Sequence, residues 1–273
     1  MRLLKFALAL LITLYVAALT ALWQFQRQLM YFPKPPQIAP EAAGFPGLQT
    51  VTLTTSDNQR LIAWYRPPAS GQPLILYFHG NANNLAQDAA RLNALAGTDF
   101  GLFAVDYRGY GGSTGSPDEP GLLRDAEAAY AKVAELGTAP ENLILYGHSL
   151  GSGLAVAMAA RHKARALVLE APYSSTADVA AARYWMFPVH ALMQDQFRAD
   201  LWIKDVHIPL LVLHGEDDRT IPIEFGRQLY SLANQPKQLL TLPGAGHLLL
   251  LHAGVAARVR KFMTMTVEKS PEQ

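Results

Sequence analysis

Apolar and polar residues alternate with a period of two in the region around residue 55. Residues 48–55 alternate apolar with polar side chains, and the polar segment 56–60 separates them from the segment 61–68. This arrangement predicts an antiparallel hairpin. Later segments are short and almost continuously apolar, which is typical of parallel strands covered on both faces. They are 73–80, 101–109, 142–149, 166–172, 209–215 and 237–244.

Between these segments apolar residues recur every three to four positions, which is the spacing of an amphipathic helix. The segments with this pattern are 121–136, 154–164, 223–233 and 254–267. Strand and helix segments alternate along the chain. The pattern therefore predicts an α/β fold with a mainly parallel sheet of eight strands and flanking helices.

Residues 173–207 lie between two predicted strands and are too many for an ordinary loop. We interpret them as a small helical cap over the carboxyl edge of the sheet. We expect a pocket for acyl chains longer than acetyl beneath Tyr184, Trp185, Met186 and Phe187. The alternative is that the segment only packs on the core and leaves a small pocket.

Residues 6–25 are apolar and contain no charged side chain. A helix of about 20 residues is about 30 Å long, which matches the hydrocarbon thickness of a bilayer. We therefore divide the chain into a transmembrane anchor with its flank, 1–30, and a folded domain, 31–273. The alternative is a cleaved signal peptide with small residues at its cleavage site, 16–18.

Basic residues flank this apolar segment on both sides. Arg2, Lys5 and the terminal amine precede it, and Arg27 and Lys34 follow it. The small excess before the segment favours a cytoplasmic N-terminus. We therefore expect a single-pass membrane protein whose catalytic domain lies on the non-cytoplasmic side.

Composition excludes several kinds of chemistry. The 273 residues are 50% hydrophobic and 16% charged, which fits a folded domain with a large core. The formal net charge of +1 gives no indication of nucleic-acid binding. The chain has no cysteine, so disulfides, thiolate nucleophiles and cysteine-bound metals are excluded.

One short motif directly follows a predicted strand. Residues 147–151 read GHSLG and match the pattern G-x-S-x-G, in which a serine lies on a sharp strand-to-helix turn. Glycines flank the serine because the turn leaves no space for side chains there. Ser149 is therefore a candidate nucleophile. The alternative is a glycine-rich turn without chemistry.

A serine nucleophile needs a base, and the base needs an acid that orients it. His247 follows the last predicted strand on a glycine-containing loop, at the same edge of the sheet as the serine. Glu216, Asp217 and Asp218 follow an earlier strand, and composition alone does not choose among them. Glu170, at the end of another strand, is a further candidate for the acid.

Two backbone N–H groups are needed to stabilise the oxyanion of an acyl-transfer reaction. The N–H of Leu150 directly follows the candidate nucleophile. The N–H of Asn81 is the second candidate because it lies on a loop after an early strand. The preceding residue, Gly80, permits a close backbone approach.

These motifs together resemble the α/β-hydrolase superfamily over nearly all of residues 45–270, and most closely its membrane-anchored, single-pass branch. The matching segments are HGN at 79–81, the segment 106–115 and QRQLMYFP at 26–33. The resemblance implies an α/β-hydrolase fold in which 106–115 is structural. It also implies that 26–33 packs on the domain and that the anchor is kept.

The resemblance places Asp218 at the family's acid position and so implies a triad of Ser149, Asp218 and His247. We expect His247 to take the proton of Ser149 while the N–H groups of Leu150 and Asn81 hold the oxyanion. The predicted function is hydrolysis of a small acyl ester or thioester, lipid-like or of medium chain length, by a membrane-anchored serine hydrolase. This chemistry requires no metal ion and no organic cofactor.

Three other functions are compatible with the same motifs. A serine peptidase would use the same triad and could bind a free amine with Glu170 or Asp178. An acyltransferase would pass the acyl group to an alcohol instead of water. A catalytically silent binding or scaffold protein would keep the fold alone.

Overall fold

A computed structural model describes residues 1–265. Within them, eight strands form one sheet, and each predicted strand segment overlaps one of these strands. They are β1 (Gln49–Thr54), β2 (Arg60–Arg66), β3 (Leu74–Phe78), β4 (Gly101–Asp106), β5 (Leu143–His148), β6 (Ala166–Glu170), β7 (Leu210–Gly215) and β8 (Lys237–Leu242). The predicted α/β fold with an eight-stranded sheet is confirmed.

The strands lie in the order β8-β7-β6-β5-β3-β4-β2-β1. Neighbouring strands from β8 to β4 are parallel, whereas β2 and β1 join the edge in antiparallel pairs. The register places Phe78 opposite Gly147, and His148 opposite Glu170. The carboxyl ends of β3, β5 and β6 therefore meet at one edge, where open α/β sheets bind their ligands.

Each of the four predicted helical segments corresponds to a helix. The helices are α1 (Arg2–Met30), α2 (Leu85–Ala96), α3 (Glu119–Glu135), α4 (Leu150–Arg161), α5 (Thr176–Arg183), α6 (Val189–Leu192), α7 (Ala199–Trp202), α8 (Ile223–Leu232) and α9 (Val255–Met265). The predicted helical positions 266 and 267 lie outside the described residues, as does the C-terminal part of the predicted domain, 266–273.

Two apolar cores fill the spaces between the sheet and the helices. On one face Tyr77 belongs to a core with Leu92 of α2 and Val259 of α9. On the other face Leu76 belongs to a core with Leu154 of α4. Because β3 is buried on both faces, its apolar segment is continuous.

The hydrophobic pattern did not predict α2, although its start carries a helix signal. The Asn84 side chain accepts a hydrogen bond from the Ala86 N–H at 3.1 Å, and the Gln87 side chain accepts one from the Asn84 N–H at 3.2 Å. This reciprocal pair is a capping box. The buried face of α2 includes Arg91, a charged residue at a position where an apolar one is expected.

The insertion 173–207 has two parts with different surroundings. Its second part packs on the core, where Phe197, Ala199 and Ile203 are fully buried and α7 contacts α4. Its first part contains α5 and lines the same cavity as Ser149. The predicted cap and its core-packing alternative therefore each describe one part of the insertion.

The N-terminal helix α1 is 29 residues long, and its most apolar 18-residue window is entirely unburied. By length and composition it could cross a membrane. Its last turn is attached to the domain, because Arg27 Nε donates to Asp195 at 3.0 Å. Tyr31 Oη donates to the same carboxylate at 3.1 Å. Segment 26–33 thus packs on the domain, as the resemblance implied.

Candidate active site

Ser149 lies between the end of β5 and the start of α4. Its backbone has a φ of 52° and a ψ of −121°, a conformation that side chains disfavour. The Ser149 N–H donates to the carbonyl of Glu170 at 2.9 Å, which holds this conformation. The structure therefore shows the sharp strand-to-helix turn that the GHSLG motif predicts.

The two glycines of the motif are required by the backbone that surrounds them. A side chain at Gly151 would overlap the carbonyl groups of Phe78 and His79. A side chain at Gly147 would overlap the backbone of Gly151. The turn and the neighbouring strand β3 thus approach each other so closely that only glycine fits at these positions.

His247 and Asp218 form an acid–base pair at the same edge of the sheet. His247 Nδ1 lies 2.7 Å from Asp218 Oδ2, and Asp218 Oδ1 accepts the N–H groups of Thr220 and Ile221 at 2.8 and 3.0 Å. Burial disfavours the charged form of Asp218, but these hydrogen bonds outweigh it, so the pKa of Asp218 lies below its usual value. An ionised Asp218 keeps the proton on Nδ1 and leaves Nε2 free to act as a base.

The structure separates the three neighbouring carboxylates that composition could not distinguish. Asp218 is 5% exposed, whereas Glu216 and Asp217 face solvent. The His214 ring packs beside Asp218: its Nε2 donates to the Ile221 carbonyl at 2.9 Å and lies 3.6 Å from Asp218 Oδ2. The residue at the family's acid position is thus the one that meets His247.

The serine is not hydrogen-bonded to this pair among the described residues. Within the described residues, no hydrogen bond joins the Ser149 hydroxyl to His247, and this hydroxyl does not cap α4. The ring of His148, the residue before the serine, lies 5.1 Å from the His247 ring, centroid to centroid. Nucleophile–base hydrogen bonds often form fully only when substrate binds. The lack of a bond between Ser149 and His247 is therefore compatible with a triad.

A buried ionic cluster that sequence reasoning missed lies behind the site. Arg91 Nη2 donates to Glu170 Oε2 at 2.6 Å, and Tyr146 Oη donates to the same oxygen at 2.7 Å. The other oxygen, Oε1, accepts the N–H groups of Leu249 and Leu250 at 2.8 and 3.3 Å. Glu170 is therefore fully used in bracing the loop that carries the histidine, and it does not contact the imidazole.

His148 belongs to this cluster and not to the reacting groups. Its Nδ1 lies 3.1 Å from Arg91 Nη1, so its ring faces the ionic cluster. Burial, followed by the positive charge of Arg91, lowers the pKa of His148 well below its usual value. His148 is therefore neutral and adds no positive charge beside Ser149.

The two candidate oxyanion donors line one cavity with the serine. The Asn81 carbonyl already accepts the Phe32 N–H at 2.9 Å and the Tyr110 hydroxyl at 2.8 Å, and its side chain donates to Met30. Among residues 1–265, neither the Asn81 N–H nor the Leu150 N–H has an acceptor. Both donors stay predictions for the oxyanion, and the structure leaves both available.

The cavity above Ser149 has a volume of about 770 Å³ and a mainly apolar lining. Residues from three parts of the chain form its wall: the C-terminal half of α1, the cap, and the loop after β7. They include Leu22, Trp23, Gln26, Leu29, Met30, Val179, Ala180, Tyr184, Phe187, Leu192, Ile221 and Pro222. The N-terminal helix is therefore part of the cavity wall.

The expected pocket beneath four cap residues needs correction. Tyr184 and Phe187 line the cavity, but Trp185 and Met186 do not. Their side chains are 79% and 56% exposed because the chain turns outward between α5 and α6. Side chains of α1, which the sequence pattern marked only as an anchor, form part of the cavity wall.

Comparisons with known proteins place the chain among hydrolase folds. The family model described as "alpha/beta hydrolase fold" matches residues 73–201. An uncharacterized protein of Mycobacterium tuberculosis is 35% identical over 254 residues, which cover 91% of this chain and 90% of that protein. Alpha/beta hydrolase domain-containing protein aho-3 of Caenorhabditis elegans is 35% identical over 220 residues, covering 79% of this chain and 64% of that protein.

A solved structure shows the same architecture at low sequence identity. The esterase Pf2001 of Pyrococcus furiosus superposes with a TM-score of 0.67 and is 18% identical, covering 86% of this chain and 97% of that structure. At this identity the likeness concerns the fold alone.

The close packing of the turn around Ser149 predicts that adding one methyl group at Gly151 destabilises the fold. Gly151→Ala would push a Cβ into the carbonyls of Phe78 and His79, so we expect a loss of about 3 kcal/mol or more in the free energy of unfolding. Gly246→Ala is the control, since its Cβ would meet open space, and it should change stability by less than about 0.5 kcal/mol. Chemical unfolding of the full chain in detergent measures both. Equal stabilities would contradict the close packing of the turn.

Proposed function

The chain belongs to the α/β-hydrolase family, and on that premise we propose that it is a serine hydrolase that cleaves acyl esters or thioesters through an acyl-enzyme. One observation carries the proposal: Asp218 and His247 are 2.7 Å apart at the sheet edge where Ser149 occupies its strained turn. Each of these residues comes from a different strand end, so the fold, and not the local sequence, assembles the group.

In the proposed first step, His247 Nε2 removes the hydroxyl proton of Ser149 as the serine oxygen attacks the substrate carbonyl. Asp218 stabilises the imidazolium that forms, because its carboxylate faces Nδ1 at 2.7 Å. The imidazolium then protonates the leaving group, and an acyl-serine remains. In the second step His247 activates water, which releases the acid and restores the serine.

The negative oxygen of each tetrahedral intermediate needs donors that are already in place. We assign this role to the N–H groups of Leu150 and Asn81, which line the cavity beside the serine. The Leu150 N–H also lies at the N-terminal end of α4, where unpaired N–H groups attract negative charge. The Asn81 backbone is held by Phe32 and Tyr110, so its position is fixed before substrate arrives.

The apolar cavity favours acyl groups longer than acetyl. Each methylene that enters it contributes about 0.8 kcal/mol. A cavity of about 770 Å³ is in the range that holds small organic ligands. Esterases are among the solved proteins that share this fold, which fits a hydrolase.

A peptidase is less well supported than an esterase. The two carboxylates that could bind a free amine are already engaged: Glu170 by Arg91 and Tyr146, and Asp178 by Ser174 and His190. An acyltransferase would be recognised by ester product when an alcohol is added, and a silent scaffold by failure to react with a fluorophosphonate. The free N–H groups at the serine favour catalysis over a scaffold.

We also propose that α1 crosses the membrane once and that the catalytic domain lies on the non-cytoplasmic side. The length and apolar surface of α1 support the crossing. Arg2 and Lys5 lie before the apolar part and support the orientation. Arg27, at the other end, is ion-paired with Asp195 at 3.0 Å and so belongs to the domain.

Ser149→Ala should lower ester hydrolysis by about 10⁴-fold or more, because it removes the nucleophile. Ser152→Ala is a matched control in the first turn of the same helix. Among residues 1–265 its buried hydroxyl has no hydrogen-bond partner, so its loss should leave activity and fluorophosphonate labelling intact. The assay is p-nitrophenyl butyrate hydrolysis with parallel labelling. Retained activity in Ser149→Ala would exclude this nucleophile.

Asp218→Asn should lower kcat by up to about 10⁴-fold, because an amide at this position favours the wrong imidazole tautomer. Asp217→Asn is the control, since that side chain faces solvent one residue away. Steady-state kinetics on the same ester compares the two variants. Equal losses, or a greater loss at Asp217, would show that the acid has been misassigned.

Acyl-chain preference should depend on the α5 wall of the cavity. We expect kcat/KM to rise from acetate to butyrate and longer esters, and Ala180→Phe to remove this gain because Ala180 lines the cavity. Ala181→Phe is the control: the neighbouring residue on α5 is not part of the lining. A steady fall from acetate upward in the unmodified chain would contradict an acyl-binding cavity.

A further inference from the structure

The tip of the cap exposes a group of large apolar side chains. We define the cap tip as residues 184–187, Tyr-Trp-Met-Phe. Tyr184, Trp185 and Met186 are 41%, 79% and 56% exposed. Exposed apolar residues that occur singly are common on soluble proteins, but adjacent ones indicate a surface that meets an apolar partner.

The cap tip is attached to α1 at a defined point. The Tyr15 hydroxyl donates to the Met186 carbonyl at 3.1 Å. The rings of Tyr15 and Phe187 stack, with centroids 5.8 Å apart and planes at 16°. The position of the cap tip along the helix axis is therefore that of Tyr15.

Tyr15 lies deep within the apolar part of α1. The segment between Lys5 and Arg27 contains no charged residue. At 1.5 Å per residue, Tyr15 lies about 18 Å along the axis from Arg27, which is paired with the buried Asp195 of the domain. A bilayer around this segment, with a hydrocarbon thickness of about 30 Å, would therefore also surround the cap tip.

We propose that the cap tip inserts into the hydrocarbon region of the membrane, with lipid acyl chains as its partner. Residues 184–189 carry no charge, so insertion buries no ion. Arg183, which adjoins the tip, lines the cavity above Ser149. The molecule then has two membrane contacts, a spanning helix and an inserted cap. The inference rests on the proposed crossing by α1 and is independent of the serine chemistry.

The absence of cysteine from the chain makes a direct test available. Trp185→Cys, Leu14→Cys and Leu232→Cys would each carry a nitroxide spin label in the full chain, reconstituted in phosphatidylcholine vesicles. Leu14 is 57% exposed on α1 beside Tyr15 and serves as the membrane reference. Leu232 is 36% exposed at the end of α8, which runs away from the site, and serves as the water reference.

Power-saturation spectroscopy then compares the access of oxygen, which concentrates in lipid, with that of a water-soluble nickel complex. We expect the oxygen-to-nickel ratio at Trp185→Cys to match that at Leu14→Cys and to exceed that at Leu232→Cys several-fold. A ratio at Trp185→Cys equal to that at Leu232→Cys, with Leu14→Cys still in lipid, would overturn the insertion alone. A water-like ratio at Leu14→Cys would overturn the crossing and the insertion together.

A second copy of the chain is the other apolar partner that could cover the tip. It would bring two labels at Trp185→Cys together and broaden the spectrum, and dilution with unlabelled chain would remove the broadening. That result would also overturn the proposal. None of these readouts involves ester hydrolysis, so failure of the serine assignment would leave them unchanged.

Discussion

The buried carboxylate of Glu170 holds together the parts of the site that come from different places in the chain. It is fully buried, and a buried charge must be paired and hydrogen-bonded to be tolerated. Arg91 and Tyr146 satisfy one oxygen, and two backbone N–H groups just after His247 satisfy the other. The carbonyl of the same residue accepts the Ser149 N–H. One residue at the end of β6 therefore positions the serine turn, the histidine loop and α2 at once.

Above this buried cluster lies the cavity at Ser149, and the N-terminal helix α1 forms part of its wall. The parallel strands bring their carboxyl ends to one edge, and the cap covers that edge. α1 packs beside the cap through Arg27 and Tyr31 and adds its own side chains to the cavity wall. A helix that composition marks only as a membrane anchor is therefore also part of the cavity wall at Ser149. Truncation before residue 26 would remove Leu22 and Trp23 from the cavity.

The sequence predicted the sheet well because strands buried on both faces are continuously apolar, a signal that does not depend on distant contacts. It predicted the serine turn for the same reason, since glycines at fixed spacing mark it locally. Asp218 could not be chosen from spacing, because three carboxylates adjoin and only tertiary burial separates them. The resemblance to a family supplied that choice.

Helix α2 and the positions of two cap residues could not be predicted, because both depend on contacts between distant parts of the chain. Arg91 is a charged residue on the otherwise apolar face of α2. It pairs with Glu170, which lies 79 positions later in the chain, so no local pattern explains it. That charge weakened the helical pattern, and the helix was missed although its capping box was readable. Trp185 and Met186 were expected in the pocket because they are large and apolar, but both are exposed, whereas side chains of α1 line the cavity.

The most direct measurement of the central claim is to locate the acyl group on the protein during turnover. The chain is mixed with p-nitrophenyl butyrate, quenched in acid and digested with trypsin, and the peptide 133–161 is fragmented by mass spectrometry. This peptide contains two serines, Ser149 and Ser152, so the fragments distinguish them. The account predicts a butyryl group on Ser149. Steady ester hydrolysis with no acylated peptide, or with the acyl group on Ser152, would contradict it.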